Sequence, residues 1–335
     1  MKRKNFLQNG LLAGASLLTA GSAAATTIAS TSTTSTTPTG STTSAGPAAS
    51  AASSGPAKST APAAEGPFHL NYGTHDGMFK NSAGNDFVDQ IKFAHDQGFR
   101  AIEDNGMMRR SAEEQQKIGD ALAKLGMSMG VFVLDKGGNG ANTLAAGKPE
   151  FLEIFLTGCR KAIETSKRCN GKLTTVVPGD FDRHLPMGIQ TGNVIEALRK
   201  GAEILEPHGI VMVLEPLSDT PDLFLRNSDQ TYAICKAVNS PSCKILFDMY
   251  HMQRNEGNII HNMDLCWNEI AYFQIGNVPG RNEPTTGEMD YKGIFKHIYG
   301  KGYKGILGME HGLSLPGKEG ETALIKAYRD SDNFV

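Results

Sequence analysis

The chain has 335 residues, 33 of them Lys or Arg against 35 Asp or Glu, and a formal net charge of −2. With no basic block beyond the first few residues, binding through phosphate neutralisation is excluded and no nucleic acid is expected as a partner. The five cysteines, Cys159, Cys169, Cys235, Cys243 and Cys266, lack C-x-x-C spacing; that excludes zinc ribbons and dithiol redox motifs and leaves them as small buried hydrophobes.

Residues 1–25 (MKRKNFLQNGLLAGASLLTAGSAAA) join a basic start, an apolar stretch and a small-residue end, the pattern of a secretory signal peptide. The RKNFLQ run at Arg3 fits a twin-arginine signal with Lys in the second basic place, or general secretion, and Ala23-Ala24-Ala25 offers a cleavage site. The apolar stretch is roughly half a bilayer span, so no stable membrane anchor is expected, and the mature protein is predicted to be exported and periplasmic. Residues 26–65 are almost entirely Ser, Thr, Ala, Pro and Gly. Without large apolar groups to offset the entropy of ordering, they read as a disordered linker. Residues 66–335 are then one folded domain, long enough for a large core. Assembly into a homo-oligomer is left open.

Strands are predicted at about 68–73, 99–104, 128–134, 173–177, 210–215, 244–248, 271–276 and 305–310. Most are apolar runs without alternation, as in a parallel sheet covered on both faces. Amphipathic helices lie between them. In 86–98, Phe87, Ile91 and Ala94 share a face and Gly98 is the stop; 112–126 carries Ile118, Leu122 and Leu125 and ends at Gly126; 192–209 repeats the pattern. Alternating β and α means a barrel or a doubly wound sheet. No G-x-G-x-x-G follows the first strand, and the count of eight points to α/β architecture of the (β/α)8 TIM-barrel type.

The last four strands end in Glu215 (LEPL), Asp248 (FDMYHMQ), Gln274 (FQIGN) and Glu310 (GMEHG), spaced about 33, 26 and 36 residues apart. Strand ends of this kind meet at the C-terminal mouth of a barrel, where barrel enzymes place their chemistry. Three carboxylates and an amide oxygen would repel one another there without a cation. The all-oxygen set predicts a hard divalent ion, Mg2+ or Mn2+. His75 and Glu103, following the first two strands, would face the same mouth as substrate-binding candidates, and His184 and Arg183 lie in the loop after the fourth. His311 should point away from Glu310 by strand alternation. Gly137–Gly140 reads as a loop over the pocket, and Trp267 as core.

Over roughly 205–312, the runs IVMVLEPL, DMYHMQRNEG, FQIGNVPGRNEPTTGEMDY and GMEHG resemble the hydroxypyruvate isomerase family, among the xylose-isomerase-like barrels of sugar isomerases and epimerases. The resemblance implies that Glu215 and Glu310 are both acid/base pair and metal ligands, with Asp248 and Gln274 completing the metal site. It also implies that His251 of D-x-x-H and Arg281 of R-x-E-P orient substrate. The loops DKGGNGANTLAAG and PGDFDRHLPMG differ from the usual family versions, so the resemblance leaves the substrate open.

On chemical grounds, moving a carbonyl to the neighbouring carbon, or inverting a centre beside it, needs one carboxylate to take a proton and a second acid to return one. Arg is suited to a substrate carboxylate. The reading is therefore a metal-dependent isomerase of a small hydroxy-carbonyl compound or keto-sugar, with a sugar 3-epimerase or a non-catalytic carbohydrate-binding barrel as alternatives. A phosphodiesterase-type barrel would need more histidines and a basic surface.

Overall fold

The computed structural model describes residues 66–335; the predicted signal peptide and linker lie outside the described residues. Nine parallel strand segments form one sheet: β1 (Asn71–Thr74), β2 (Ala101–Ile102), β3 (Ser128–Met129), β4 (Val131–Val133), β5 (Leu173–Val176), β6 (Val211–Leu214), β7 (Cys243–Asp248), β8 (Ile270–Gln274) and β9 (Ile306–Gly308). Their order is β3-β2-β1-β9-β8-β7-β6-β5-β4. The two ends of this order, β3 and β4, are halves of one run of chain broken at Gly130. Gly130 N donates to Ile102 O (2.7 Å) and Asp104 N to Val131 O (3.1 Å), so β2 remains bonded across the break while β4 pairs β5. The nine segments are therefore eight barrel strands, and the sheet closes, as predicted for a TIM barrel. The break has a steric cause. A Cβ at position 130 would stand 2.4 Å from the Tyr272 hydroxyl, so only Gly lets Tyr272 reach across the barrel.

The predicted helices follow their local signals. Asp86 caps the helix Phe87–Asp96 by accepting from Val88 N. Ser111 and Glu114 form a capping box on the helix Ala112–Leu125, which ends at Gly126 in the left-handed region, φ 64°. The third helix begins earlier than its pattern suggested, at Met187, and runs to Leu205. Between helices and barrel lies the main apolar core, while Ala101, Val131, Val213, Leu246, Tyr272 and Ile306 fill the barrel itself. All five cysteines are buried and free, as expected of small hydrophobes. Among the described residues, no helix is long and apolar enough to cross a membrane.

Candidate active site

The apolar plug inside the barrel sets the level of the site. Strand side chains alternate between faces, so residues two positions beyond an inward apolar residue also point inward. Beyond Val213, Leu246, Tyr272 and Ile306 stand Glu215, Asp248, Gln274 and Gly308, with Glu310 two further on. Register agrees: Asp248 pairs Gln274 across β7 and β8, and Gln274 pairs Gly308 across β8 and β9. Glu215, Asp248 and Gln274 are buried, whereas the Glu310 side chain is 24% exposed toward the mouth.

Gly308 leaves the space that Glu103 fills. A Cβ there would come within 1.8 Å of Glu103 Oε2. Gly308→Ala is therefore expected to destabilise the protein by about 1–3 kcal/mol, read as a lowered midpoint in denaturant. Unchanged stability would show that the inner layer is not packed as described.

Asp248 does two jobs. As N-cap of the short helix Met249–Asn255 it accepts on Oδ1 from Tyr250 N (2.7 Å) and His251 N (3.3 Å). Its Oδ2 is left facing the site, 3.0 Å from Arg281 Nη2 and 3.5 Å from His251 Nε2. Arg281 Nη2 also reaches Glu310 Oε2 at 2.8 Å, and Glu310 Oε1 accepts from Asn105 Nδ2 at 2.6 Å. Glu215 Oε1 lies 4.0 Å from His251 Nε2. One donor atom from each of Glu215, Asp248 and His251 lies within 4.8 Å of the others.

Gln274 is held from below. Its Nε2 donates to Glu103 Oε2 (3.3 Å), which also accepts from the Tyr272 hydroxyl (3.0 Å). That fixes the amide with Oε1 free, and this buried oxygen has no hydrogen-bond partner. His251 is fixed from the side. Ser218 N, which can only donate, points at Nδ1 from 3.2 Å, with Ser218 Oγ at 2.8 Å. Nδ1 is thus the acceptor and the proton of the neutral ring sits on Nε2. Burial lowers the His251 pKa, favouring that neutral ring. His251 Nε2 therefore offers a proton to an incoming oxygen rather than a lone pair to a cation.

The electrostatics are those of a site short of positive charge. Burial first, then Glu310 and Asp248, raise the pKa of Glu215 well above the ordinary carboxyl range. Glu310 is pushed up to about 7, mainly by burial, with Arg281 opposing. Burial pulls the Arg281 pKa down, but Asp248, Glu310 and Glu215 outweigh it and hold the guanidinium charged. Arg281 sits at φ 50°, unusual for a side chain of its size, in a loop tied by Arg281 N to Asn277 O at 2.7 Å. Its guanidinium lies 4.8 Å from the centre of the Tyr250 ring.

A hard divalent cation fits these residues. Gln274 Oε1 is an orphaned acceptor, and three carboxylates converge with one arginine to balance them. Glu215, Asp248, Gln274 and Glu310 are the residues that would hold it.

The remaining candidates take varied positions. Glu103 lies a layer beneath the cluster, fully enclosed, with its carboxyl turned to Tyr272 and Gln274. His75 sits at the rim, its ring nitrogens near the carbonyl oxygens of Asp76 (2.9 Å) and His311 (3.2 Å). His184 is 95% exposed and Arg183 pairs with Asp222. His311 points away from the mouth, bonding and stacking on Tyr328. Trp267 packs against Phe273 and Tyr303 at the edge of the core. Sequence reasoning missed Asn105 and Ser218. Asn105 was legible in principle, being two positions beyond Glu103; Ser218 was not, because it meets His251 only through tertiary folding.

A closed eight-stranded barrel with acidic strand ends converging on one mouth places the candidate site where barrel enzymes carry their chemistry. The chain belongs to the xylose isomerase-like TIM barrel family, whose pattern matches residues 91–329, and the relatives it matches include isomerases. It is 30% identical to the hydroxypyruvate isomerase of Escherichia coli (strain K12) over 161 residues, 48% of this chain and 62% of that protein. It is 33% identical to the 2-oxo-tetronate isomerase of Cupriavidus necator over 138 residues, 41% of this chain and 52% of that one. In structure it resembles the 3-keto-D-glucoside 4-epimerase of Escherichia coli, with a TM-score of 0.63 at 19% identity, covering 78% of this chain and 97% of the other. That likeness speaks for the fold.

Proposed function

We propose that this chain is a divalent-metal-dependent isomerase of small α-hydroxy-carbonyl compounds, either a hydroxypyruvate-like acid or a keto-sugar, working by glutamate-mediated proton transfer through an enediolate. The observation that carries the reading is the pair Glu215 and Glu310, set on the non-adjacent strands β6 and β9 with Asp248 and Gln274 between them. Placed so, the pair flanks a bound substrate. One glutamate takes the proton from the carbon beside the carbonyl, and the other returns a proton to the neighbouring carbon. A divalent cation held by the four strand-end residues would polarise the carbonyl and offset the charge of the enediolate. His251 Nε2–H donates to a substrate oxygen, and Ser218 keeps it in that tautomer. Arg281 neutralises charge at the mouth, and Asn105 orients Glu310. A 3-epimerase would use the same pair and return the proton to the same carbon from the other face, so the product tells the two apart.

The export reading of residues 1–25 belongs to the same proposal and places the enzyme in the periplasm. The test is to assay the purified full chain with Mn2+ against a panel of hydroxypyruvate, 2-oxo acids and ketoses. A product that disappears with chelator and returns with Mn2+ is expected. Absence of turnover on every hydroxy-carbonyl compound in the panel would overturn the reading.

A further inference from the structure

Beside the carboxylate cluster, between the loops that follow β2 and β4, lies a cavity of about 230 Å³ lined by Asn105, Met108, Arg109, Asp135, Lys136 and Asn139, among others. Asn105 belongs to both places, since its Nδ2 holds Glu310 Oε1 at 2.6 Å. The sign of charge inverts between them. The cluster is built of Glu215, Asp248 and Glu310, whereas the cavity wall carries two cations, Arg109 and Lys136, against Asp135 alone. Lys136 is buried, and its Nζ is spent on the carbonyls of Gly138 (3.1 Å), Asn139 (3.4 Å) and Ala141 (2.5 Å). It makes no ion pair among the described residues, so its charge is not cancelled by a touching carboxylate. Those three bonds also pin the glycine-rich loop that forms the outer wall.

Arg109 ends a short 3-10 turn, Met107–Arg109. Its guanidinium has neither hydrogen bond nor ion pair among the described residues. Arg281 is the contrast. Although nearer the acids, it is committed to Asp248 and Glu310 and is not free to bind a second anion without abandoning them. A guanidinium is a fork of donors matched to a carboxylate, and Arg109 is the cation at this mouth with that fork free.

We propose that this cavity is a subsite for the anionic end of the substrate, with Arg109 binding a carboxylate there and Lys136 fixing the wall and adding to the positive field. This rests on the isomerase reading and deepens it. The substrate is a hydroxy-oxo acid, its hydroxy-carbonyl end between Glu215 and Glu310 and its carboxylate in the cavity. The loop carrying Lys136 is one of the two that depart from the family pattern, so the outer wall of the subsite belongs to this protein's own loops.

The test compares wild type, Arg109→Gln and Arg109→Lys as full chains with Mn2+. Each is assayed on hydroxypyruvate and on dihydroxyacetone, its uncharged counterpart, and titrated calorimetrically with D-glycerate, an unreactive hydroxy acid. The ratio of kcat/KM for the acid to that for the neutral ketone should fall about tenfold or more in Arg109→Gln, as for a lost charged hydrogen bond. The change should lie mainly in KM, with part of it restored by Lys, and glycerate should bind at least about tenfold more weakly. Arg109 is exposed, so replacing it opens no core cavity. If the ratio and glycerate affinity are unchanged while the enzyme turns over, the subsite is overturned and the isomerase reading stands. If neither compound is turned over but glycerate binds in an Arg109-dependent way, the subsite stands and the isomerase reading falls. No turnover and no glycerate binding by wild type overturns both.

Discussion

Replacing Glu215 or Glu310 by Gln should lower kcat by at least about 100-fold, the lower range for general acid/base catalysis. Gln keeps an oxygen at nearly the same place and volume while removing the proton-transfer group. The two positions differ in surroundings. Glu215 is enclosed beside His251, whereas Glu310 opens to the mouth between Asn105 and Arg281. Loss of either should nevertheless stop the reaction, because each proton transfer needs its own partner. Metal affinity should fall less than turnover, since three of the four oxygen ligands are untouched. Steady-state rates and Mn2+ titration on each variant give both numbers. Near-normal turnover in both variants would remove the proton-transfer role from this pair of glutamates.

A second large effect is expected on stability. Carboxylates packed at this density with one arginine as counter-charge favour any cation that enters. A ligand at about 100 times its dissociation constant stabilises the folded state by roughly 2.7 kcal/mol. For a domain of this size that is a rise in Tm of roughly 5 °C. Asp248→Asn retains the oxygen that caps the following helix but loses the charge that faces the site, so most of the rise should vanish while the metal-free Tm changes less. Scanning calorimetry of both proteins with and without Mg2+ or Mn2+ measures this. An equal rise in wild type and Asp248→Asn would place the bound cation somewhere else.

The polar strand ends were readable in sequence because each follows an apolar β-prone run, and in a parallel barrel such runs have one possible direction to the mouth. That is why Glu215, Asp248, Gln274 and Glu310 could be placed on one rim. What sequence could not supply was the side-chain level along each strand. Glu103 and Glu310 both end apolar runs, yet Glu103 stands in the layer beneath the mouth because Gly308 opposite has no side chain to exclude it. Likewise Gly130, an unremarked glycine in a predicted strand, is where the third strand divides so that Tyr272 can cross the barrel. The tautomer of His251 depends on Ser218, and the commitment of Arg281 on a loop conformation with positive φ. Contacts of these kinds leave no periodic trace.

The most direct measurement of the central claim is the anomalous difference density of crystals grown with Mn2+. A single peak is predicted within roughly 2.0–2.6 Å of oxygens from Glu215, Asp248, Gln274 and Glu310. His251 should stand close by without ligating. No peak at saturating Mn2+, or a peak bound through His251 Nε2 with the Gln274 amide uninvolved, would contradict the account.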